Sequence, residues 1–178
     1  ETTHVDLKKR LARQLGPRKP FDLIILMNVL NELPVERFEL LIKEFKRILG
    51  DDGMVLAIEP ASMGASRHLL EARELFVGQN WRGYAPCSHQ QGCPMLEDEN
   101  GWCHDAWPFE RPDFMVAVDR IVGTRRETLK GSWMLLGPTE ATEDNREGLG
   151  RIISERSVEK GRQRAQVCMD GQIFDVEL

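Results

Sequence analysis

Four cysteines are the residues of this 178-residue chain best suited to bind a metal. Cys87, Cys93 and Cys103 lie in one short segment, and Cys168 follows near the end of the chain. Thiolates are soft ligands that suit zinc or an iron–sulfur cluster. Zinc fingers and ribbons commonly use closely spaced cysteine pairs, which this chain lacks. The residue types and their spacing predict one site made by all four cysteines, and they leave the metal open.

Other interpretations of the cysteines account for less of the pattern. Two disulfides would need an oxidising compartment, and the polar N-terminus carries no secretory signal, so we expect the protein not to be secreted. Four unrelated core cysteines would not need the Gly, Pro and His residues that flank these thiols. His89 and His104 are alternative zinc ligands, but we favour hydrogen-bond donors near the site or ordinary surface histidines.

Three of the cysteines lie in a segment, 78–112, that shows no apolar periodicity. We expect a loop without regular structure, because Gly, Pro, Trp, Cys and His dominate its composition. A stretch of this length in a compact protein needs something other than an apolar core to order it. Aromatic residues such as Trp81 and Trp102 argue against disorder, so we expect the metal site to organise the segment.

The residues before this segment alternate between helical and strand patterns. Amphipathic spacing predicts helices over 5–15, after Pro34 and over 66–77. Continuous apolar runs predict buried strands over 21–27, with both faces covered, and over 54–58, with a turn at 50–53 before the latter. This order predicts an α/β fold with a parallel pair of strands.

Two polar residues, Asn28 and Asn31, follow the first predicted strand. Ligands of open α/β sheets bind beyond the carboxyl ends of the strands, so these residues are predicted to border a cofactor or substrate pocket. The alternative is that both side chains only cap the turn after the strand.

The residues after Pro112 predict a helix, a strand and a small antiparallel sheet. The helix is expected over 115–126 and the strand over 132–136, followed by an acidic surface loop over 139–148. The last segment, 151–178, alternates apolar and polar residues around turns at 159–161 and 170–171, which is typical of antiparallel hairpins.

The formal net charge of −5 gives no global argument for nucleic-acid binding. RNA contacts would have to come from local basic patches. One lies on the N-terminal helix and its exit, one lies over 120–130, and one, which also includes Arg151, lies on the terminal hairpin. The predicted RNA-facing residues are Arg125, Arg126, Arg156, Lys160, Arg162 and Arg164. A single patch of this kind is more often an ordinary solvated face. No apolar run is long enough to span a bilayer, so no membrane contact is expected.

Two groups of residues together resemble a known family. The run from Phe21 to Pro34 and the run from Gly53 to Pro60 look like the second half of a class I S-adenosylmethionine (SAM) methyltransferase. Combined with the four cysteines, they resemble the methyltransferase-like proteins that assist assembly of the mitochondrial small ribosomal subunit, and their bacterial relatives. The resemblance covers nearly the whole chain.

The resemblance implies a [4Fe–4S] cluster held by Cys87, Cys93, Cys103 and Cys168. It also implies binding to small-subunit ribosomal RNA or a pre-ribosomal particle. It implies residues 1–78 as a partial Rossmann-like methyltransferase domain and residues 79–178 as the cluster-binding segment with the terminal sheet. The compartment would be the mitochondrial matrix or the bacterial cytoplasm. The alternative, from another class of function, is an interaction module that a zinc ion holds together and that has no role in RNA binding.

One departure from the family is large. The chain has no glycine-rich SAM-binding turn after a strand, since Gly148-Leu149-Gly150 follows an acidic loop. We expect the chain to be a fragment whose N-terminal half would supply any SAM site. An active SAM-dependent rRNA methyltransferase is therefore kept as the alternative to a ribosome-assembly factor without methyl transfer. Asn28-Val29-Leu30-Asn31 also differs from the Asn-Pro-Pro-Tyr motif that holds an exocyclic amine.

Overall fold

The computed structural model describes residues 21–125, 127–138, 148–153, 157–159 and 162–177. The helix predicted over 5–15 and the acidic loop predicted over 139–148, apart from Gly148, lie outside these ranges. Within them the chain forms a mixed sheet of five strands, a layer of helices and a smaller antiparallel sheet. The predicted α/β class is confirmed. The division into domains 1–78 and 79–178 stays a prediction.

The larger sheet has the strand order β1-β2-β5-β3, with β4 also paired to β5. Strand β1 (Phe21–Met27) runs parallel to β2 (Leu49–Pro60), which confirms the predicted parallel pair. Strand β5 (Thr128–Pro138) is antiparallel to β2. Strands β3 (Trp81–Ala85) and β4 (Asp105–Pro108) pair with opposite ends of β5 along its other edge. The sheet thus joins strands from before, within and after the segment 78–112, which carries three of the cysteines.

Helices α1 (Phe38–Ile48) and α2 (Met63–Gly78) cover one face of this sheet. Their apolar stripes pack on Val55 and Ala57 of β2, which are fully buried. Phe76 of α2 stacks on Phe45 of α1 and meets Trp81 edge-on, so aromatic contacts join the helices to β3. The helices predicted after Pro34 and over 66–77 are confirmed.

Strand β1 corrects the prediction that both of its faces are buried. Leu23, Ile25 and Met27 are 47%, 54% and 60% exposed. Side chains alternate across a strand, so the helical layer covers only Ile24 and Leu26 on the opposite face. The described residues therefore cover the apolar run of β1 on one face only.

The predicted turn at 50–53 lies inside β2 instead of before it. Phe21 pairs with Leu49 and Leu23 pairs with Met54, so β2 carries the extra residues as an irregularity opposite β1. A Cβ atom on Gly53 would lie 2.8 Å from the carbonyl oxygen of Phe21. Glycine is thus needed where the two strands approach each other, and not for a chain reversal.

The segment 78–112 contains more regular structure than predicted. It holds β3, β4 and a 3-10 turn at Pro94–Leu96. The apolar pattern did not predict these two strands, because each is short and pairs with β5, which is distant in the sequence. Helix α3 (Asp113–Val122) ends at Gly123, whose φ of 72° is left-handed, and is shorter than the predicted 115–126.

The terminal sheet confirms the predicted antiparallel arrangement. Strands β6 (Arg151–Ile152) and β7 (Ser157–Glu159) lie along one edge of β8 (Arg162–Met169), and β9 (Gln172–Glu177) lies along the other. The predicted turn at Asp170-Gly171 joins β8 to β9 with φ values of 51° and 75°. Among the residues that the structure describes, no helix is long and apolar enough to cross a membrane.

Candidate metal centre

All four cysteines line one cavity between the segment 78–112 and the terminal sheet. Cys87 follows β3 after the cis Ala85-Pro86 peptide bond, Cys93 precedes the 3-10 turn and Cys103 precedes β4. Cys168 enters from β8. The full lining comprises Leu70, Arg73, Cys87, Ser88, His89, Cys93, Met95, Cys103, Arg151, Ile153 and Cys168. The structure therefore brings together the four residues that the sequence grouped.

Arg67 of α2 holds the part of the loop that follows Cys93. Its Nη1 donates to the carbonyl oxygens of Met95, Asp98 and Gly101 at 2.9, 2.6 and 2.8 Å, and Nη2 donates to Leu96 O at 3.2 Å. Loop carbonyls that face inward need such donors, because no strand or helix supplies them. One guanidinium thus fixes the turn between Cys93 and Cys103.

Arg73, six residues further along α2, holds the part of the loop before Cys93. Its side chain is fully buried and donates to the carbonyl oxygens of Gln91 and His89 at 3.0 and 2.8 Å. It also pairs with the Glu74 carboxylate. Two arginines on one helix therefore organise much of the segment that lacks an apolar core.

Other contacts fix the ends of the loop. The Gln90 side chain exchanges two hydrogen bonds with the backbone of Gly83 in β3, at 2.9 and 2.8 Å. Ser132 of β5 donates to the carbonyl oxygen of Cys103 at 2.9 Å. The turn after Cys168 lies against the loop as well, because a Cβ atom on Gly171 would be 3.0 Å from Cβ of Gln91.

The two predicted histidines occupy different positions. His89 lines the cavity, is 7% exposed and places Nε2 3.2 Å from the Cys168 sulfur. His104 does not line the cavity, and its ring stacks on Trp102 with centroids 5.6 Å apart. The interpretation of His89 as a hydrogen-bonding neighbour of the site fits its contact with Cys168.

Burial controls the protonation of the thiols. It raises the pKa of Cys93 to about 11 and that of Cys103 to about 12, and it also raises the pKa of Cys168. Without a metal these thiols are protonated at neutral pH. A metal that binds them must therefore displace protons, which makes its affinity depend on pH.

Two cations, the fully buried Arg73 and the partly buried Arg151, line the cavity with the thiols. Burial acts to lower the pKa of Arg73 and Arg151, but neighbouring acidic groups outweigh it and raise both values. The dominant acidic neighbour is Cys87 for Arg73 and Cys103 for Arg151. The guanidinium groups stay charged and would offset the negative charge of thiolate ligands.

Arg151 also corrects the prediction that it belongs to a surface basic patch. Its Nη2 lies 2.8 Å from Oδ2 of Asp105, and its side chain is 12% exposed. The indole Nε1 of Trp133 donates to the same Asp105 oxygen at 2.6 Å. A hydrogen-bonded chain thus runs from the cysteine cavity through Asp105 to Trp133 in the larger sheet.

The donor set fits soft-metal chemistry, although the sulfurs do not converge on a point. Within the described ranges, no group of three or more His, Cys, Asp or Glu side chains meets the geometry of a single-ion site. Four thiols around one cavity are the ligand type of a thiolate-bound metal centre, and the two arginines beside them would offset its negative charge.

The residues predicted at the carboxyl end of β1 are divided. Asn28 lines a second cavity and has a φ of 53°, and its N–H donates to Ile58 O at 2.9 Å. Asn31 lies in a 3-10 turn and is not in that lining. The buried Glu59 carboxylate accepts from the N–H groups of Val29 and Leu30 at 3.0 and 2.8 Å, so Glu59 caps this turn.

Half of the predicted RNA-facing residues can be placed. Arg125 pairs with Glu127 at 2.7 Å, and Arg162 lies 3.5 Å from Glu177. Arg162 and Arg164 are both exposed on β8. Arg126, Arg156 and Lys160 lie outside the described residues. The acids beside Arg125 and Arg162 reduce the local positive charge.

Sequence reasoning missed the arginines around the cysteine cavity. Arg73 falls three residues before Phe76 and four after Leu69, so a cation occupies the apolar stripe of an amphipathic helix. That position was the available signal, because an arginine on a buried helix face needs acceptors nearby. Arg67 and Arg151 gave no comparable sign, since their partners are distant in the sequence.

Comparison with known proteins agrees with the resemblance seen in the sequence. No curated protein matches the chain. A family model described as mitochondrial small ribosomal subunit Rsm22 matches residues 2–177, which is nearly the full length. The chain therefore belongs to the Rsm22 family of the mitochondrial small ribosomal subunit.

Proposed function

We propose that this chain is part of a mitochondrial assembly factor that binds the RNA of the small ribosomal subunit and carries a structural [4Fe–4S] cluster. The observation that carries the cluster proposal is the convergence of Cys87, Cys93, Cys103 and Cys168 on one cavity. Family membership supports the link to the small subunit. The methyltransferase-like origin of the fold is supported by the parallel β1–β2 pair.

The four thiolates would hold the cluster by their sulfur atoms. A cluster is wider than a zinc ion, and its ligands can come from separate loops. Cys93 and Cys103 lie in a loop that Arg67 and Arg73 already shape, whereas Cys168 lies in the terminal sheet. When bound, the cluster would supply a covalent cross-link between these two parts of the chain.

Anaerobic purification tests the identity of the metal. We expect absorption near 400 nm together with about four iron and four sulfide per chain, the composition of a [4Fe–4S] cluster. Stoichiometric zinc without sulfide would contradict the cluster and support the zinc-stapled interaction module instead. Protein that binds neither metal after reconstitution would contradict the proposal.

Substitution of Cys168 tests the ligand set. Cys168→Ser should lose most of the iron, because a hydroxyl is a poor replacement for a soft thiolate. Ser88→Ala is the matched control, since Ser88 lines the same cavity without a thiol and should keep full iron content. If Cys168→Ser retains the iron and sulfide of the parent protein, Cys168 is not a ligand.

Charge reversal on the terminal sheet tests RNA binding. The double variant Arg162→Glu/Arg164→Glu should weaken binding to small-subunit rRNA fragments and lower the slope of log affinity against log salt by about one per lost phosphate contact. Lys43→Glu/Arg47→Glu, on the exposed side of α1, is the control. An unchanged salt slope in the β8 variant would remove this patch from the RNA interface.

Methyl transfer is the second candidate function. A cavity at the carboxyl ends of β1 and β2 favours it, because ligands of open α/β sheets bind there. The SAM site would lie in a preceding half of the same protein. Transfer of a labelled methyl group from SAM to small-subunit rRNA by the longer protein would support this function.

A further inference from the structure

A second cavity, of about 680 Å³, lies on the face of the larger sheet opposite α1 and α2. Met27, Ile58 and Trp133 are neighbours in the strand register and form part of its floor. Pockets for small ligands usually measure about 300–1,000 Å³. The cavity is therefore large enough for a nucleotide, and it is separate from the cysteine cavity.

Two tryptophans line this cavity. A Cβ atom on Gly131 would be 3.4 Å from Cζ3 of Trp107, so the Trp107 ring lies across the glycine. Trp107 is nevertheless 43% exposed. Trp133 is fixed by its hydrogen bond to Asp105. Exposed and well-positioned indoles are the platforms on which proteins stack unpaired bases.

Polar groups lie at the same cavity. Lys130 adds a positive charge suited to a phosphate, and the Asn28 carboxamide carries both a donor and an acceptor. Base-binding sites combine these elements: an aromatic surface for the ring, an amide for the base edge and a cation for the backbone. The remaining lining is apolar except for Glu59, whose carboxylate accepts from the N–H groups of Val29 and Leu30. A mostly apolar lining favours a flat ring.

We infer that this cavity binds a planar nucleobase that stacks on Trp107 and Trp133, with the adjoining phosphate near Lys130. The inference deepens the proposed function and rests on it, because it assigns a base-binding site to an RNA-binding protein. The base could come from single-stranded RNA or from a free nucleotide, since both present the same ring and phosphate.

Binding to three probes tests the inference in the metal-loaded chain. The probes are a single-stranded RNA octamer, an abasic octamer with the same phosphates, and AMP. The RNA should bind about tenfold more tightly than the abasic strand, because stacking adds to phosphate attraction. AMP that binds as tightly as RNA and quenches tryptophan fluorescence would assign the base to a free nucleotide.

Variants identify the cavity as the source of the difference. Trp107→Leu should reduce the preference for RNA over the abasic strand to less than about twofold, whereas Trp107→Tyr should retain most of it. Trp107 is exposed, so both variants should fold, and unchanged far-ultraviolet circular dichroism checks this. Lys130→Gln should weaken both strands, in contrast to the control Lys43→Gln.

The outcomes separate this inference from the proposed function. Equal binding of RNA and abasic strands by the parent protein would overturn the base-binding site and leave RNA binding intact. A Trp107→Leu variant with an undiminished preference would overturn the site as well. Failure of both strands to bind would contradict the proposed function together with the inference.

Discussion

At the scale of single residues, the fully buried Arg73 contributes to the cysteine site alongside the cysteines themselves. Arg73 supplies donors to a loop whose carbonyls face inward, and its charge would offset that of thiolates bound to a metal. A buried cation of this kind is costly unless all of its partners are present. The site is therefore a set of mutually dependent charges and not only four ligands.

Removal of the Arg73 guanidinium should destabilise the fold. We expect Arg73→Met to lower the free energy of unfolding by about 3 kcal/mol, because the carbonyl oxygens of His89 and Gln91 lose their donors inside the protein. Urea unfolding measures the change. Arg47→Met is the control, because its side chain is 54% exposed and should shift stability by less than about 0.5 kcal/mol. A small effect at both positions would show that the loop does not depend on Arg73.

Single residues also show how much of the two cavities the sequence alone could predict. Cysteine type and spacing were sufficient to group the four thiols. Asn28 was found because it directly follows an apolar strand, whereas Asn31 shared that signal and lies away from the cavity. Trp107 and Trp133 carried no sign of a shared cavity, since the pairing of β4 with β5 brings them together.

At the scale of elements, the cysteine cavity depends most on the contact between the terminal β8–β9 hairpin and the segment 78–112. Strand β8 carries Cys168, and the turn that follows it lies on Gln91. Gly171 is required there for two reasons, its left-handed φ and its close approach to the loop. The hairpin therefore has little freedom in how it meets the loop.

A pair of glycine variants separates these two reasons. Gly171→Ala and Gly148→Ala both place alanine at a positive φ, 75° and 76°, which costs about 1 kcal/mol each. Of the two, Gly171 alone has neighbours within 4 Å among the residues that the structure describes. Gly171→Ala should therefore cost about 1–2 kcal/mol more than Gly148→Ala in thermal or urea unfolding. Equal losses would mean that the hairpin and the loop are not tightly packed.

Elements with strong local patterns were predicted well. Helices α1 and α2, the parallel strands and the Asp170-Gly171 turn follow from apolar spacing and turn residues. The short strands β3 and β4 could not be foreseen, because their pairing depends on β5, which lies far along the chain. The exposed face of β1 was missed for a related reason: an apolar run does not show whether a second layer covers it.

At the scale of the whole molecule, hydrogen bonds link the walls of the two separate cavities. Arg151 lines the cysteine cavity and contacts Asp105, and Asp105 holds Trp133 at the wall of the second cavity. Asp105→Leu should leave Arg151 buried without its carboxylate and release the Trp133 indole. We expect a loss of about 2–4 kcal/mol in unfolding free energy and a red shift of tryptophan emission. Retention of both parent values would argue against this link.

We propose above all that a bound cluster joins the segment 78–112 to the terminal sheet. Hydrogen–deuterium exchange of residues 162–177 tests it most directly, in metal-loaded protein and in protein stripped with an oxidant and a chelator. We predict that backbone amides of β8 and β9 exchange at least tenfold more slowly in the loaded form, while those of α1 change little, because the cross-link suppresses local opening of the sheet. Equal exchange of β8 and β9 in the two forms would contradict the claim.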